Sequence, residues 1–405
     1  MTGGPVAVTG IGMITPAGVG TAASWEGVSS ARSTARRDPV LAGLPVDFSC
    51  RSPQDPAELI GGRTARRMDR FVQFAVLAAR EAVADAGLDP VSWDGARIGV
   101  VLGCADGGPG TVEQEHRVLL DHAASRVSAL LLPMQLPNMS AGQVCIDLGA
   151  CGPSLVVATA CASGATAIGL ARDLLALGRC DVVLAGGSEA MITPLVMAGF
   201  SRMGALSSRL DDPARASRPF DESRDGFVAG EGAAVLVLER PADARARGAR
   251  IRGMVAGFGA TADAHHVTAP DPAGRGCERA LRTALADAGV RPDEVDHVNA
   301  HGTSTPLNDA VEAQVIERVL GQRPVVTSTK GVTGHMFGAA GAAEAAFSIL
   351  AMEHQLVPPT ANLTTVDPRF GIQVAECAVS GRIDVTVSNS LGFGGQNAVL
   401  VLTGP

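Results

Sequence analysis

The chain has 405 residues, of which 46% are hydrophobic and 18% charged, with a formal net charge of −8. This composition excludes a disordered chain, and the length allows one large domain or two packed domains with a sizeable core. The negative charge balance, the 3% aromatic content and the absence of tyrosine argue against nucleic-acid binding by the whole molecule. The opening residues, MTGGPVAVTGIG, contain no secretory signal, so we expect a cytoplasmic protein.

Short β-rich runs alternate with alanine-rich stretches along the chain, which predicts an α/β fold with buried strands. The clearest strand candidates are Val6–Gly10, Ile98–Leu102, Asp181–Ala185 and Ala234–Leu238. The most apolar stretch, residues 155–171, is rich in Ala, Gly, Ser and Thr and stops at Arg172. We therefore expect this stretch in a tightly packed interior and predict no membrane insertion.

Two pairs of similar segments predict an internal duplication. ADAG at 84–87 is matched by ADAG at 286–289, and GEGAAVLVLERP at 230–241 by GGQNAVLVLTGP at 394–405. The first copy carries about 38 more residues between its markers, which fits a long excursion through 107–149. We predict a first half over 1–245 and a second over 246–405, with a seam in PADARARGAR and a shared central site.

The strongest chemical signal is the segment ATACASG at 158–164. A hydrophobic strand, SLVVAT, leads into a turn of small residues and then into a helical stretch over 165–177. A cysteine at such a junction lies near a helix N-terminus, whose N–H groups and positive dipole end favour the thiolate and lower the thiol pKa. Cys161 is therefore predicted to be an activated nucleophile rather than one more buried structural cysteine.

Three later loops supply partners for this cysteine. NAHGTST at 299–305 presents His301, STKGVTGH at 328–335 presents His335, and NSLGFGGQN at 389–397 is rich in glycine. Lys330 is the single lysine among 33 basic residues, which suggests a task that needs a compact ammonium group. One Cys, two His and one Lys from both halves form a nucleophile-and-base set, although each histidine alone would more often be a structural loop residue.

Other chemistries are disfavoured. The segment GIGMIT at 10–15 lacks the third glycine and the acidic residue of a dinucleotide fingerprint. The adjacent His265 and His266 have no Cys or carboxylate cluster at zinc spacing, so we predict no metal. The eight cysteines form no CxxC pair, which suits free thiols in a reducing compartment.

Taken together, these motifs resemble a known family along nearly the whole chain. The matching segments, in order, are VAVTGIGMITPAG, RRMDRF, TACASG, GGSEA, SRPFDESRDGFVAGEGAAVLVLE, NAHGTSTPLND, STKGVTGHMFGAAGAAE and NSLGFGGQNA. The chain is similar to the β-ketoacyl-[acyl carrier protein] synthases of the elongating Cys-His-His type. The resemblance implies a thiolase-like fold: two duplicated βα halves in a five-layer αβαβα sandwich.

The resemblance also implies roles for individual residues. Cys161 matches the acyl-accepting nucleophile, and His301 and His335 match the two histidines, which as neutral donors would stabilise the malonyl-derived carbanion. Lys330 and Glu344 match a lysine and glutamate that would orient this network and set the tautomer of His335. Thr303 and Thr305 match hydroxyls that hold the pantetheine arm. Phe393 matches a gate residue, and its backbone N–H and that of Cys161 would hold the oxyanion. Gly392 and Gly394 lie in the matching substrate-binding loop.

The implied partners are an acyl carrier protein and a second subunit. A carrier is acidic, so Arg63, Arg66, Arg67, Arg202 and Arg209 are docking candidates, although an ordinary solvated basic surface would look the same. The second subunit would be an identical chain or a chain-length-factor-like partner. No cofactor is expected beyond the phosphopantetheine of the carrier.

Departures from the family pattern bear on the substrate. Asn308-Asp309 is similar to aromatic polyketide synthases, Cys151 replaces a common Arg, and Asp106 stands where fatty-acid enzymes place an apolar floor. An unpaired carboxylate there would penalise a long alkyl chain by several kcal/mol. We therefore predict decarboxylative condensation with malonyl-carrier in type II polyketide or specialised lipid synthesis. The alternatives are a housekeeping fatty-acid synthase, a thiolase-like acyltransferase and a non-catalytic chain-length subunit.

Overall fold

The computed structural model describes residues 4–405, which form sixteen strands and fourteen α-helices. The strands are β1 Val6–Thr15, β2 Gly18–Val19, β3 Arg36–Arg37, β4 Phe48–Ser49, β5 Ile98–Gly103, β6 Ser154–Val157, β7 Val182–Glu189, β8 Gly232–Glu239, β9 Gly253–Ala262, β10 His297–Asn299, β11 Val325–Thr327, β12 Leu356–Val357, β13 Gln373–Val374, β14 Val379–Ser380, β15 Val385–Gly392 and β16 Gln396–Thr403.

The helices are α1 Thr21–Ser29, α2 Pro56–Ile60, α3 Gly62–Ala65, α4 Arg70–Asp85, α5 Pro109–Asp121, α6 Leu131–Gln135, α7 Met139–Leu148, α8 Ser163–Ala176, α9 Pro194–Met203, α10 Pro241–Ala246, α11 Arg275–Ala288, α12 Pro306–Leu320, α13 Lys330–Thr333 and α14 Ala340–His354. Three 3₁₀ turns lie at the functional site: Ala160–Ala162, Phe337–Ala339 and Phe393–Gly395.

One sheet runs through the molecule in the order β13-β11-β10-β15-β16-β9-β1-β8-β7-β5-β6. Read outwards from the β1–β9 junction, both halves repeat one strand order: β1, β8, β7, β5, β6 and β9, β16, β15, β10, β11. The junction is a short antiparallel pairing from Val6↔Val255 to Val8↔Gly253. The predicted duplication is thus present in the topology.

Helices α8 and α14 lie between the two half-sheets. Each contacts the other and strands of both halves, while α4 and α7 cover the outer face of the first half and α11 covers that of the second. All residues from Ala340 to Met352 are buried, because α14 is surrounded by protein. The resulting layers, αβαβα, are those of the predicted thiolase-like sandwich.

Helix ends follow from local sequence. The Asp69 carboxylate accepts the Phe71 N–H at 3.4 Å and caps α4, and α11 ends where Gly289 takes a left-handed conformation with φ +67°. Helix α4 then packs its buried face against β1 and β8. Helix α4 ends at Asp85 and α11 at Ala288, each inside an ADAG segment whose glycine, Gly87 or Gly289, takes a left-handed conformation.

The structure refines several sequence predictions. Strand β1 extends to Thr15. Added Cβ atoms at Gly10 and Gly12 would meet α4 backbone oxygens at 2.1 and 2.0 Å. These glycines therefore serve close strand–helix packing. The excursion through 107–149 contains α5, α6 and α7, and the seam contains α10. The division into domains at residue 245 stays a prediction.

The β6 end of the sheet carries an unusual number of exposed apolar side chains. They lie on α5, α6, α7 and β6, which contact one another in succession. They are Val112, Leu119, Leu120, Leu132, Leu136, Ile146 and Leu155. In residues 4–405 there is no helix with the length and apolarity needed to span a bilayer.

His297 in β10 predicts an acid-labile step in stability. The ring is fully buried, its two nitrogens have no hydrogen-bond partner among the described residues, and burial lowers its pKa to about 3. The unfolded chain binds this proton near pH 6.5, so stability is lost as pH falls from 6.5 towards 3, by about 1.4 kcal/mol per pH unit. His297→Leu should flatten this slope in urea unfolding between pH 6.5 and 4. Equal slopes for both proteins would contradict the assignment.

Candidate active site

Cys161 lies in a sharp turn between a strand and a central helix. Strand β6 ends at Val157, the 3₁₀ turn Ala160–Ala162 follows, and α8 begins at Ser163. Ala160 has a φ of +49°, a region that non-glycine residues enter at a cost of about 1–3 kcal/mol. The Ser163 hydroxyl stabilises the turn by donating to Ala160 O at 2.6 Å and accepting the Thr159 N–H at 2.9 Å. The nucleophile candidate thus lies on a strained, supported turn.

The sulfur of Cys161 lies 3.0 Å from Nε2 of His335, which comes 174 positions later in the chain. Burial raises the pKa of the Cys161 thiol to about 12, although the charge of Lys330 and the Phe393 N–H lower it. The expectation of a thiol pKa lowered by the helix N-terminus is therefore wrong, because desolvation is the largest influence and outweighs the Lys330 charge and the Phe393 N–H. The resting sulfur is a thiol, and His335 is the adjacent base that can take its proton.

Lys330 and Glu344 form a buried ion pair beside the other histidine. Their side chains are 1% and 3% exposed, and Lys330 Nζ also lies 3.5 Å from Nδ1 of His301. The expectation that this pair orients His335 is wrong, because the ammonium faces His301 instead. An ammonium carries only donors, so Nδ1 of His301 accepts and its Nε2 carries the proton.

Both histidines are neutral. Desolvation is the main reason that the pKa values of His301 and His335 lie well below 6.5, and the positive charge of Lys330 lowers both further. Their rings meet edge to face with centroids 5.3 Å apart, and the Phe337 ring lies 5.0 Å from that of His335. The arrangement supplies uncharged imidazoles next to a thiol.

Sequence reasoning missed Glu312, which fixes the His301 loop. Its fully buried carboxylate accepts the His301 N–H at 2.7 Å, the Gly302 N–H at 2.8 Å and the Asn389 side-chain amide at 3.1 Å. The sequence places Glu312 among the apolar residues Val311, Ala313 and Val315 of α12, which indicates a buried acid. It does not show which backbone N–H groups the Glu312 carboxylate accepts.

A cavity of about 690 Å³ contains the cluster. Cys161, His301 and His335 line it together with Thr303 and Thr305, whose hydroxyls are 2.9 Å apart. Gly392 and Phe393 line it as predicted, and a Cβ at Gly392 would come within 2.7 Å of Thr159 O. Gly394 is absent from the cavity lining in the described part of the chain. Its N–H instead donates to Val267 O at 2.8 Å, which places it on the outer side of the loop.

Asp106 lines the cavity, but its setting differs from the prediction. Partial desolvation raises the pKa of its carboxyl, yet the residue is exposed in the single chain. A carboxylate that keeps contact with solvent does not carry the full desolvation cost of a buried one. The predicted penalty of several kcal/mol for an alkyl chain therefore does not apply to this chain by itself.

The five docking candidates are not equivalent. Arg63, Arg66, Arg67 and Arg202 are exposed on the surface, whereas Arg209 is half-buried. Arg209 donates to Ser223 O at 2.6 Å and lies 3.9 Å from Asp225, which lines the cavity. Arg209 is therefore next to the active-site cavity, and so is Arg202, which directly precedes the lining residue Met203.

The same cluster has the spacing of a metal site. The sulfur of Cys161 and one ring nitrogen each of His301 and His335 lie within 4.8 Å of one another. A second cation would be repelled by the Lys330 ammonium next to His301. The arrangement is therefore better suited to acyl chemistry than to metal binding.

The chain matches two family models: the β-ketoacyl synthase N-terminal domain over residues 4–244 and the β-ketoacyl synthase C-terminal domain over 252–364. The chain belongs to the β-ketoacyl synthase family. It is 43% identical over 404 residues to a 3-oxoacyl-[acyl-carrier-protein] synthase 2 from Synechocystis sp., and the match covers 98% of this chain and 97% of the relative.

Two solved structures are similar to this synthase over 99% of both chains. One is the ishigamide ketosynthase/chain length factor, with a TM-score of 0.91 and 34% identity. The other is a type II polyketide synthase acyl-carrier protein in complex with its ketosynthase bound to the hexaketide, with a TM-score of 0.92 and 31% identity. These matches show the thiolase-like architecture of the synthase over 99% of the chain.

The buried ion pair predicts a separable effect on stability and activity. Lys330→Met leaves the Glu344 carboxyl buried without its cation, which should lower the free energy of unfolding by about 3–5 kcal/mol. It also removes the donor to His301 Nδ1, so condensation should fall about 100-fold. The double variant Lys330→Met/Glu344→Gln should recover most of the stability, measured by urea unfolding, but not the condensation rate. Recovery of both would show that the ion pair is purely structural.

Proposed function

We propose that this synthase joins an acyl chain carried on Cys161 to a malonyl group carried on an acyl carrier protein, with loss of CO₂, to give a 3-oxoacyl-carrier. The observation that carries the proposal is the 3.0 Å contact between the Cys161 sulfur and His335 inside a cavity that also contains His301. No metal or organic cofactor is needed, because the thioester itself accepts the electron pair.

The first half-reaction transfers the acyl group. The Cys161 sulfur attacks the thioester carbonyl of the acyl-carrier, and its proton moves to Nε2 of His335. The backbone N–H groups of Cys161 and Phe393 stabilise the tetrahedral oxyanion. When the carbon–sulfur bond to the carrier breaks, His335 returns the proton to the departing pantetheine thiol.

The second half-reaction forms the new bond. Malonyl-carrier loses CO₂, and the electron pair delocalises onto the thioester oxygen, where the Nε2–H of His301 donates a hydrogen bond. The Lys330–Glu344 pair holds His301 in that tautomer. The carbanion attacks the acyl-Cys161 carbonyl, the product leaves, and the released sulfur takes up one proton through His335. The hydroxyls of Thr303 and Thr305 hold the pantetheine arm.

The pathway depends on which acyl chain the cavity prefers. Asp106 in the cavity lining supports an oxygenated or unsaturated chain of the kind that polyketide synthesis uses. The name of the Synechocystis relative, 3-oxoacyl-[acyl-carrier-protein] synthase 2, favours the alternative of a fatty-acid-elongating enzyme. A non-catalytic chain-length subunit is disfavoured, because Cys161, both histidines and Lys330 are present and assembled.

We propose an acyl carrier protein and a second thiolase-like chain as partners. The solved relatives include a ketosynthase with its carrier and a ketosynthase/chain length factor. The exposed apolar residues at the β6 end of the sheet would be covered by such a chain, either a second copy or a chain-length-factor-like subunit. All eight cysteines are free, which supports a cytoplasmic setting.

Acyl loading tests the proposal directly. Saturated, polyenoic and oxygenated acyl-carriers should each be incubated with wild type and Cys161→Ala, and intact mass measured. We expect an added acyl group on the wild type alone, since among the thiols of residues 4–405 only Cys161 has a histidine within hydrogen-bond distance. Loading of none of the chains by the wild type would exclude the enzyme, and the preferred chain identifies the pathway. Release of CO₂ from malonyl-carrier separates condensation from thiolase-like transfer.

Carrier docking predicts a charge-dependent KM. Arg66→Glu/Arg67→Glu should raise the KM for the acyl-carrier about tenfold while leaving kcat within twofold, because surface charge acts on encounter. The difference should shrink in 0.5 M salt, where screening is strong. Arg245→Glu/Arg382→Glu, at two other exposed arginines, is the matched control and should leave KM unchanged. Equal KM values for both variants would remove this segment from the docking surface.

A further inference from the structure

One buried carboxylate near the cavity has no part in the reaction described above. Glu189 ends β7 and is fully buried, and no lysine, arginine or histidine within residues 4–405 forms a salt bridge with it. A buried acid without a cation is costly unless its oxygens accept hydrogen bonds. Its contacts therefore indicate what it does.

The contacts of Glu189 join two neighbouring segments of the cavity wall. Oε2 accepts the Ala105 N–H at 2.5 Å and the Gly338 N–H at 3.2 Å, and Oε1 lies 3.4 Å from the sulfur of Cys104. Ala105 and Asp106 line the cavity, and so does Phe337, directly before Gly338. A single carboxyl oxygen thus links the loop after β5 to the turn before α14.

The turn held by Glu189 is strained. Phe337 has a φ of +46°, an unusual conformation for an aromatic residue, so surrounding contacts must hold it. A Cβ at position 338 would lie 2.4 Å from Glu189 Oε2, so only glycine lets the backbone approach the carboxyl group. The Phe337 ring stacks on Phe200 at 5.3 Å and lies 5.0 Å from the His335 ring. The Gly338 N–H bond therefore acts on the residue that packs against His335.

We propose that Glu189 is a positioning residue, which clamps the Ala105 and Gly338 backbones and thereby holds the Phe337 ring against His335. The groups around it are the Cys104 thiol and the Asp106 carboxylate on the loop after β5, and beyond them the Cys161 thiol. The clamp needs only an accepting oxygen, so it works with Glu189 neutral or ionised.

The charge state of Glu189 has a separate effect on the nucleophile. Burial raises its pKa to about 7, and the negative charge of its ionised form raises the pKa of the Cys161 thiol. Below pH 6 Glu189 is neutral and has no such effect. Above pH 7 it ionises and disfavours the thiolate, so removing the charge should speed alkylation of Cys161 only on the alkaline side.

The test compares Glu189→Gln, which keeps an accepting oxygen, with Glu189→Leu, which does not. Both are made in a Cys151→Ser/Cys377→Ser background so that iodoacetamide reports on Cys161, with the alkylated site identified by peptide mass. Glu239→Gln, a buried acid at the opposite end of the neighbouring strand β8, is the matched control. Its alkylation profile and kcat should equal those of the background protein.

We expect Glu189→Gln to alkylate about three- to tenfold faster than the background protein at pH 8.5, equally fast at pH 6, and to keep kcat for condensation within about threefold. Glu189→Leu should lose at least tenfold in kcat with little change in KM for malonyl-carrier. An unchanged kcat in a folded Leu variant, or a Gln variant that loses as much kcat as the Leu variant, would overturn the inference. Identical alkylation profiles for the Gln variant and the background protein would contradict the charge effect alone.

Two other outcomes remain decisive. If the Leu variant does not fold, the alkylation profile of the Gln variant still decides the charge effect, and its kcat decides whether an accepting oxygen suffices. Because the kinetic arm rests on the proposed condensation, a background protein that alkylates but does not condense would overturn the proposed function. The pH profile would then still test the charge effect of Glu189 on Cys161.

Discussion

Small residues along the contact between α8 and α14 let the two central helices approach closely, and the active site depends on this approach. A Cβ at Gly164 would lie 2.8 Å from the Ala342 N, and one at Gly341 would lie 3.0 Å from the Ala165 N. Larger side chains would separate the helices and, with them, the two halves of the site. Because α8 begins directly after Cys161 and α14 follows His335, this packing sets the 3.0 Å distance between sulfur and imidazole.

Burial then decides the charge state of the assembled groups. The same desolvation that keeps both histidines neutral also keeps the Cys161 thiol protonated, so the nucleophile needs a base within reach. Two neutral imidazoles suit this reaction, because His335 can accept the thiol proton at Nε2. His301 can donate its Nε2–H to the thioester oxygen on which negative charge develops. The one cation, Lys330, is balanced by Glu344 and is directed at His301.

Strain and buried acids recur around the cavity. Ala160, Ser304 and Phe337 all have positive φ values, and each lies in a segment that contributes to the site. Side-chain or carboxylate bonds hold such segments in place: Ser163 supports the Cys161 turn, Glu312 the His301 loop, and Glu189 the turn before α14. Rigid support of this kind positions the reacting groups before a substrate arrives.

The sequence predicted the α/β class, the duplication and the residues that carry the chemistry. It could do so because each rests on a local pattern: repeated segments, a strand-turn-helix at Cys161, and His-bearing loops after strands. Long-range contacts did not follow. Groups distant in sequence decide four features of the site. They decide which histidine faces Lys330 and how strongly desolvation raises the Cys161 pKa. They also decide the exposure of Asp106 and the backbone partners of Glu312 and Glu189. Only tertiary packing sets those distances and removes the water, and electrostatic energies change steeply with both.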